Sequence, residues 1–305
     1  MVEQFFRSIY VVAYREMLRF VRERSRLISA FIMPLMFLVI LGAGFNRLIG
    51  DISPGVNFIQ FLFPGILSMT VVMGSLFSAL SIVWDREFGF LKEILVAPLN
   101  RTGIMFGKAL GGALASSFRG IILIFCAPLI GLNINVLLVL KLIPIILLLS
   151  LTLSGVGFII ASRMRSQQGF QGVMQFVTFP VIFLSGVFFP LNSAPSWVQV
   201  LSKFNPMTYG VDALRQIFLQ NTNQSSTSLN EQINPTMGVE IFGHITTVWE
   251  NIIVVAIIGS IFMIKPDLKC IIFPKKQKTV EQKVMCNRTI FGMTWKSPKS
   301  ILMIY

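Results

Sequence analysis

Histidine is almost missing from this 305-residue chain, where His244 stands alone. A histidine-based metal site or a Ser-His-Asp relay needs more, so neither is expected within one chain. Cysteine is scarce as well. Cys126 falls in an apolar run and Cys270 and Cys286 in the C-terminal tail, a distribution that gives no disulfide framework. Charged residues make up only 13% of the chain. In their place stand 28 Phe and 15 Met, a hydrophobic content of 54% and a mean hydropathy of +0.75. One aqueous core cannot hide so much apolar surface, and runs of about 18 or more apolar residues read as membrane spans. The runs do not alternate polar with apolar, which excludes a barrel. The expected class is an all-α polytopic membrane protein.

Six runs are candidate spans: Leu27–Phe45, Phe58–Trp84, Leu110–Gly131, Val136–Ser162, Phe170–Phe189 and Thr247–Ile264. The first 26 residues hold six arginines and three glutamates, so a cleavable signal peptide is not expected. With six spans, 21 of the 26 basic residues fall on one side of the membrane. Arg47, Lys203 and Arg215 fall on the other, and Arg119 and Lys141 lie inside spans. The positive-inside rule then puts both termini in the cytoplasm. The formal charge of +13 reads as orientation, and no nucleic-acid partner is expected. Trp84, Trp197 and Trp249 fall near span ends, where indole rings prefer to sit.

Residues 5–26 form an amphipathic pattern. Arg15, Arg19, Arg22 and Arg26 share one stripe, with Phe6, Tyr10, Ala13, Met17 and Phe20 on the opposite face. Such a helix would lie along the inner membrane surface, its arginines toward anionic lipid or a partner. The next cytoplasmic segment, DREFGFLKEILVAPLN at 85–100, packs Asp85, Arg86, Glu87, Lys92 and Glu93 between two apolar runs. Asp85 is a cap candidate, Phe88, Leu91 and Leu95 recur at helical spacing beside Phe90 and Ile94, and Pro98 ends the helix. About three turns are too few to span a bilayer. The two-faced pattern fits a helix docked in a protein groove, or one lying on the lipid surface, although three carboxylates disfavour an anionic leaflet.

No nucleotide site accompanies these elements. In TGIMFGKAL, residues 102–110, Thr102 replaces the first glycine of a phosphate loop and Ala109 its final hydroxyl. HExxH and GxSxG patterns are absent too. Gly107, Gly111 and Ala115 instead form a small-residue ridge for close helix packing. Lys141 can snorkel to the headgroups, whereas Arg119 lies well within a span and is a candidate residue of a substrate path, with Glu250 a possible counter-charge. In the fifth run, Pro180, Ser185-Gly186 and Pro190 would interrupt a simple helix. Two short helices should follow, one with Ser193 as cap candidate. The other has Asn205 as cap, Pro206 at its first position, and Asp212 and Arg215 three apart. Irregular backbone at membrane depth must be buried or line a cavity, which marks this region as a candidate outer gate.

Two stretches carry a family resemblance. DREFGFLKEILVAPLNR, residues 85–101, resembles the cytoplasmic segment of type-2 ABC exporter permeases. FLSGVFFPLNSAPSWVQVLSKFNPMTYGVDALR, residues 183–215, is similar to that family's second signature. The resemblance runs over residues 1–264 and implies a half-transporter, in which two permease copies pair with two separate ATPase subunits that bind ATP and Mg. It implies no cofactor in this chain and no enzymatic activity of its own.

Carried over, residues 1–26 hold the cytoplasmic interface helix, 27–264 the six-span permease domain, and 265–305 a basic cytoplasmic tail that departs from the family pattern. The coupling helix would use Asp85, Arg86, Glu87, Phe88, Phe90, Leu91, Lys92 and Glu93. Ser185, Gly186, Phe189, Pro190, Asn205, Pro206, Tyr209, Asp212 and Arg215 would form the re-entrant outer gate. The expected location is the plasma (inner) membrane, and the cargo an amphipathic drug, a lipid or a glycan-type substrate. An autonomous channel or secondary transporter is the alternative; it predicts polar residues within spans and internal repeats. An intramembrane enzyme would need nucleophiles at membrane depth, where only Cys126 stands.

Overall fold

The computed structural model of the chain describes residues 2–49, 51–53, 56–89, 101–132, 134–164, 166–191, 194–222, 240–241 and 244–264. A bilayer offers the backbone no water, so long apolar stretches satisfy their N–H groups internally as helices. Helix α1 is Val2–Arg22 and α2 is Arg24–Ile49. A short antiparallel pair, β1 (Asp51–Ser53) and β2 (Val56–Asn57), leads into α3 (Phe58–Ser78). After one turn at Ala79 the second run continues as α4 (Leu80–Glu87). Helix α5 is Arg101–Cys126, followed by a 3-10 turn at Ala127–Ile130, and α6 is Val136–Arg163. Then come α7 (Gln167–Phe183), α8 (Ser196–Lys203) and α9 (Pro206–Thr222). A second small pair, β3 (Glu240–Ile241) and β4 (His244–Ile245), precedes α10 (Val248–Ile264).

Among the described residues, Phe58–Glu87, Thr102–Cys126 and Val136–Arg163 are long and apolar enough to cross a membrane. Phe31–Gly42 and Val248–Phe262 are shorter apolar helices. The chain is therefore a multi-pass helical membrane protein. Several run boundaries differ from the sequence reading, the third run's helix starting at Arg101 rather than Leu110. The second run stays helical to Glu87 rather than stopping at Trp84. The fifth begins at Gln167, where the Ser166 hydroxyl accepts the Gly169 N–H at 3.2 Å, and its helix ends at Phe183 rather than Phe189.

Helix α3 is central, packed by α2, α5, α6 and α9, while α6 packs in turn on α5, α9 and α10. Phe61, Phe63, Phe158, Phe170 and Phe218 are fully buried, and the Phe63 and Phe218 rings lie 5.2 Å apart. Hydroxyls buried in this interior bond carbonyls rather than stay orphaned. Ser68 donates to Pro64 O at 2.8 Å and Ser75 to Val71 O at 2.7 Å. Ser117 and Ser150 join α5 to α6 at 3.1 Å, and Thr152 reaches Val255 O on α10 at 3.2 Å. Helix α7 lies at the edge of the bundle, leaving Phe176 and Phe179 exposed.

Helix α1 ends at Arg22 because the backbone breaks at Glu23, so Arg26 belongs to α2 rather than to the α1 stripe. Nor does α1 stand apart. It runs parallel to the first half of α5 and buries Val12 and Phe20, so Phe20 leaves the apolar face on which the sequence placed it. Phe6, Tyr10 and Tyr14 remain exposed, giving α1 two apolar faces instead of one.

Candidate functional site

Three consecutive charges close α4, and each grips a different part of the bundle. Asp85 is only 3% exposed. Its carboxylate accepts hydrogen bonds from Lys108 of α5, itself 3% exposed, and from Arg15 of α1 at 3.4 Å. Arg86 Nη1 donates to Met164 O at 2.7 Å and to Ser162 O at 3.3 Å, closing the C-terminus of α6. Glu87 Oε2 accepts the Gln167 N–H at 2.8 Å, at the N-terminus of α7. A cation at a helix C-terminus and a carboxylate at an N-terminus both match the helix dipole. Asp85 therefore does not cap a following helix, as its place in the sequence suggested. It lies in the last turn of α4, and ammonium and guanidinium groups share its Oδ2.

Beyond the three charges, Phe88 is exposed and Gly89 has φ +80°. Phe90, Leu91, Lys92, Glu93 and the expected stop at Pro98 lie outside the described residues.

The anchor of this cluster is the seam between α1 and α5. A Cβ on Gly103 would meet Ser8 Cβ at 2.8 Å, one on Gly107 would meet Val12 Cβ at 2.8 Å, and one on Gly111 would meet Glu16 Cβ at 2.8 Å. Small residues four apart thus bring the two helices close enough for Lys108 to reach Asp85 and approach Glu16 at 3.7 Å. The ridge read from Gly107 and Gly111 starts a turn earlier, at Gly103, and its partner is α1.

Farther along the seam, Arg19 lies over the Trp84 ring at 5.6 Å and Arg119 over Phe20 at 4.6 Å. Both line a small, partly open cleft of about 60 Å3 walled by α1, α3, α4 and α5. Glu250, weighed as a counter-charge for Arg119, accepts the Thr247 N–H at 2.8 Å at the start of α10. Lys141 is exposed, and Arg22 is the last residue of α1.

The broken end of α7 is folded back upon α9. Pro180 lies inside the last turns of α7, which ends at Phe183, and the chain then turns at Gly186 with φ +73°. Ser185 donates to Ile182 O at 2.6 Å. The carbonyls freed by the break find donors on α9 and its cap, as orphan groups at a buried helix end must. Asn205 Nδ2 donates to Val181 O at 2.7 Å, Thr208 Oγ1 to Leu184 O at 3.4 Å, and Arg215 Nη2 to Gly186 O at 2.9 Å. Arg215 is 5% exposed and stands over Phe61 at 3.8 Å. Asn205 also caps α9, accepting Met207 N–H at 3.1 Å ahead of Pro206. Tyr209 OH closes on Lys203 O at 2.7 Å. Asp212 Oδ2 turns to α10, accepting from Asn251 at 2.7 Å, and also from Gln216 at 2.8 Å. Phe189 and Pro190 sit on the break itself, Phe189 36% exposed. Helix α8 starts at Ser196 with Pro195 at its cap; Ser193 lies outside the described residues.

Sequence reasoning missed Lys108, Thr208, Gln216 and Asn251. Only Lys108 gave a signal, as a cation near the start of an apolar helix with an acidic residue ending the preceding run.

Membrane-length helices, a charge cluster joining helix ends and a broken helix satisfied by its own signature define a multi-pass membrane protein with organised ends. The family model described as ABC-2 type transporter matches residues 7–219. "Putative transport permease ycf38" of Cyanophora paradoxa is 31% identical over 232 residues, 74% of this chain and 79% of that one. "Probable multidrug ABC transporter permease YbhR" of Escherichia coli (strain K12) is 30% identical over 180 residues, 56% of this chain and 47% of its own length. "Nodulation protein J" of Rhizobium meliloti (strain 1021) is 28% identical over 188 residues, 61% of this chain and 71% of that protein. The chain belongs to the ABC-2 type transporter family and is a transport permease, the membrane subunit of a transporter.

Proposed function

We propose that this permease exports an amphipathic drug, lipid or glycan-type substrate, driven by a separate ABC ATPase that binds ATP and Mg. The working unit is a homodimer of the permease with two ATPase copies, in the plasma (inner) membrane. Each permease copy has six spans and both termini in the cytoplasm. Residues 1–26 are the interface region, 27–264 the permease domain and 265–305 a basic cytoplasmic tail. Residues 85–96 dock into the ATPase, Arg119 faces the cargo path, and residues 186–215 close the outer side. A relative named as a probable multidrug permease agrees with a drug-type cargo.

The observation that carries this reading is the triple grip of Asp85, Arg86 and Glu87. Residues 85–87, the first three of the docking segment in sequence, are tied to α1, α5, α6 and α7 at once. Force applied at residues 85–87 reaches four helices at once. Phe88 supplies an exposed apolar contact, and the charges before it supply the transmission.

Copurification from membranes of the native host tests the assignment. An ATPase subunit should elute with the tagged chain in equal amount, and Leu91→Glu should release it. A chain that elutes alone, or a Leu91→Glu variant that keeps the ATPase and full transport, sinks the reading.

A further inference from the structure

Helix α7 differs from other edge helices in what it exposes. The outward faces of α2 and α10 carry Ile32, Met36 and Val39 and Ile253, Ile257 and Ile261, side chains that acyl chains solvate well. On α7, Gln168, Gln171 and Gln175 are exposed, three and four apart and therefore on one stripe. None of these three side chains has a hydrogen-bond partner among the described residues. Gln175 stands about 12 Å along the helix from its first residue. An amide carried that far into a bilayer is costly until it finds a donor and an acceptor. Gly172 lies on the same stripe, and no atom comes within 4 Å of where its Cβ would be, so a second helix can approach there. Phe179 and Phe183 continue the stripe, both exposed, their rings stacked 5.4 Å apart.

We propose that a second copy of the chain packs on this stripe, α7 against α7, with the glutamine amides hydrogen-bonded across the two-fold axis. The inference rests on the homodimer reading and adds the surface that would make it. Two copies with one orientation in a bilayer are related by an axis along its normal, so same-numbered residues meet at the same depth. Like charges brought together in that way repel. A primary amide carries donors and an acceptor at once, so glutamine is complementary to itself. Acyl chains would leave the amides unpaired, and a water-filled path would wet Phe179 and Phe183. A copy of the same helix satisfies both halves of the stripe, amide on amide and ring on ring.

The test uses the full chain in lipid vesicles, with Cys126→Ser, Cys270→Ser and Cys286→Ser as the background. Single cysteines are oxidised with copper phenanthroline. Gln175→Cys should give a covalent dimer, whereas Val173→Cys, exposed on the opposite side of α7, and Met36→Cys, exposed on α2, should stay monomeric. Without added cysteines, energy transfer between labelled copies is followed as the chain is diluted in lipid. Gln171→Leu with Gln175→Leu should raise the lipid dilution midpoint of association by roughly threefold to tenfold in protein density, and Val173→Ile should leave it unchanged. A dimer that Met36→Cys or Val173→Cys captures as readily as Gln175→Cys leaves the homodimer standing and overturns this surface. So does a midpoint that ignores the double substitution, or a Gln175→Cys thiol that reacts with a water-soluble maleimide and does not cross-link. A chain that stays monomeric at every density contradicts the homodimer reading itself, and this surface with it.

Discussion

Asp85 and Lys108, 23 positions apart, form a buried ion pair that joins the end of α4 to α5, with Arg15 of α1 on the same carboxylate. Removing one partner leaves an uncompensated buried charge, which costs roughly 3–5 kcal/mol, whereas removing both is far milder. Lys108→Met should therefore lower the melting temperature of the detergent-solubilised chain sharply. Asp85→Asn combined with Lys108→Met should recover most of the loss, as read by thermal unfolding of the two variants side by side.

The α1–α5 seam depends on missing side chains. At Gly107 a Cβ would press on Val12 Cβ and on Ile9 O at 2.9 Å, and the latter cannot move aside as a side chain could. Gly107→Ile should lift α1 from α5. Trypsin cleavage after Arg15 and Arg19 should accelerate several-fold, while Leu114→Ile, at an exposed position of the same helix, should leave the rate unchanged.

Gly186 and Arg215 hold the helix break together. Gly186→Ala forces an L residue into left-handed backbone at about 1–2 kcal/mol, and its Cβ would also meet Leu191 Cγ at 2.8 Å. Arg215→Gln gives up charge-assisted bonds worth about 1.5–3 kcal/mol and the contact over Phe61. Each variant should melt earlier than the parent. The pair should lose less than the sum of the two, because both act on the same carbonyl.

Asn205 does two jobs, capping α9 and donating to Val181 O. Asn205→Ala should cost about 1–2 kcal/mol, toward the upper end for a cap. Asn205→Asp keeps the cap acceptor but loses the donor to Val181, so its melting temperature should fall between alanine and the parent.

The membrane made much of this architecture legible. Apolar runs must be helical, so α3, α5, α6 and α10 follow from Phe58–Trp84, Leu110–Gly131, Val136–Ser162 and Thr247–Ile264 within a turn or two at most ends. The α9 cap was legible too, since Asn205-Pro206 is a local signal. The partners of charges were not. Lys108 reaches Asp85 only because α1, α4 and α5 dock in one register, and no local pattern encodes that. For the same reason Asp85 reads on paper as a helix cap and Arg86 and Glu87 as charges of a docked helix, although Asp85 is buried and the next two hold helix ends. The small-residue ridge announced a close approach without naming α1, whose basic stripe pointed to lipid.

In the proposed mechanism the triple grip carries ATP-driven motion from residues 85–96 to the broken end of α7. Spin labels at Val200→Cys, an exposed position of α8, report the distance between the two copies by pulsed electron resonance. In the complex with its ATPase, trapping with ATP and vanadate should shift that distance. The Arg86→Gln, Glu87→Gln chain should bind the same ATPase and lose the shift. A full shift in that double variant, with the ATPase still bound, would contradict the claim.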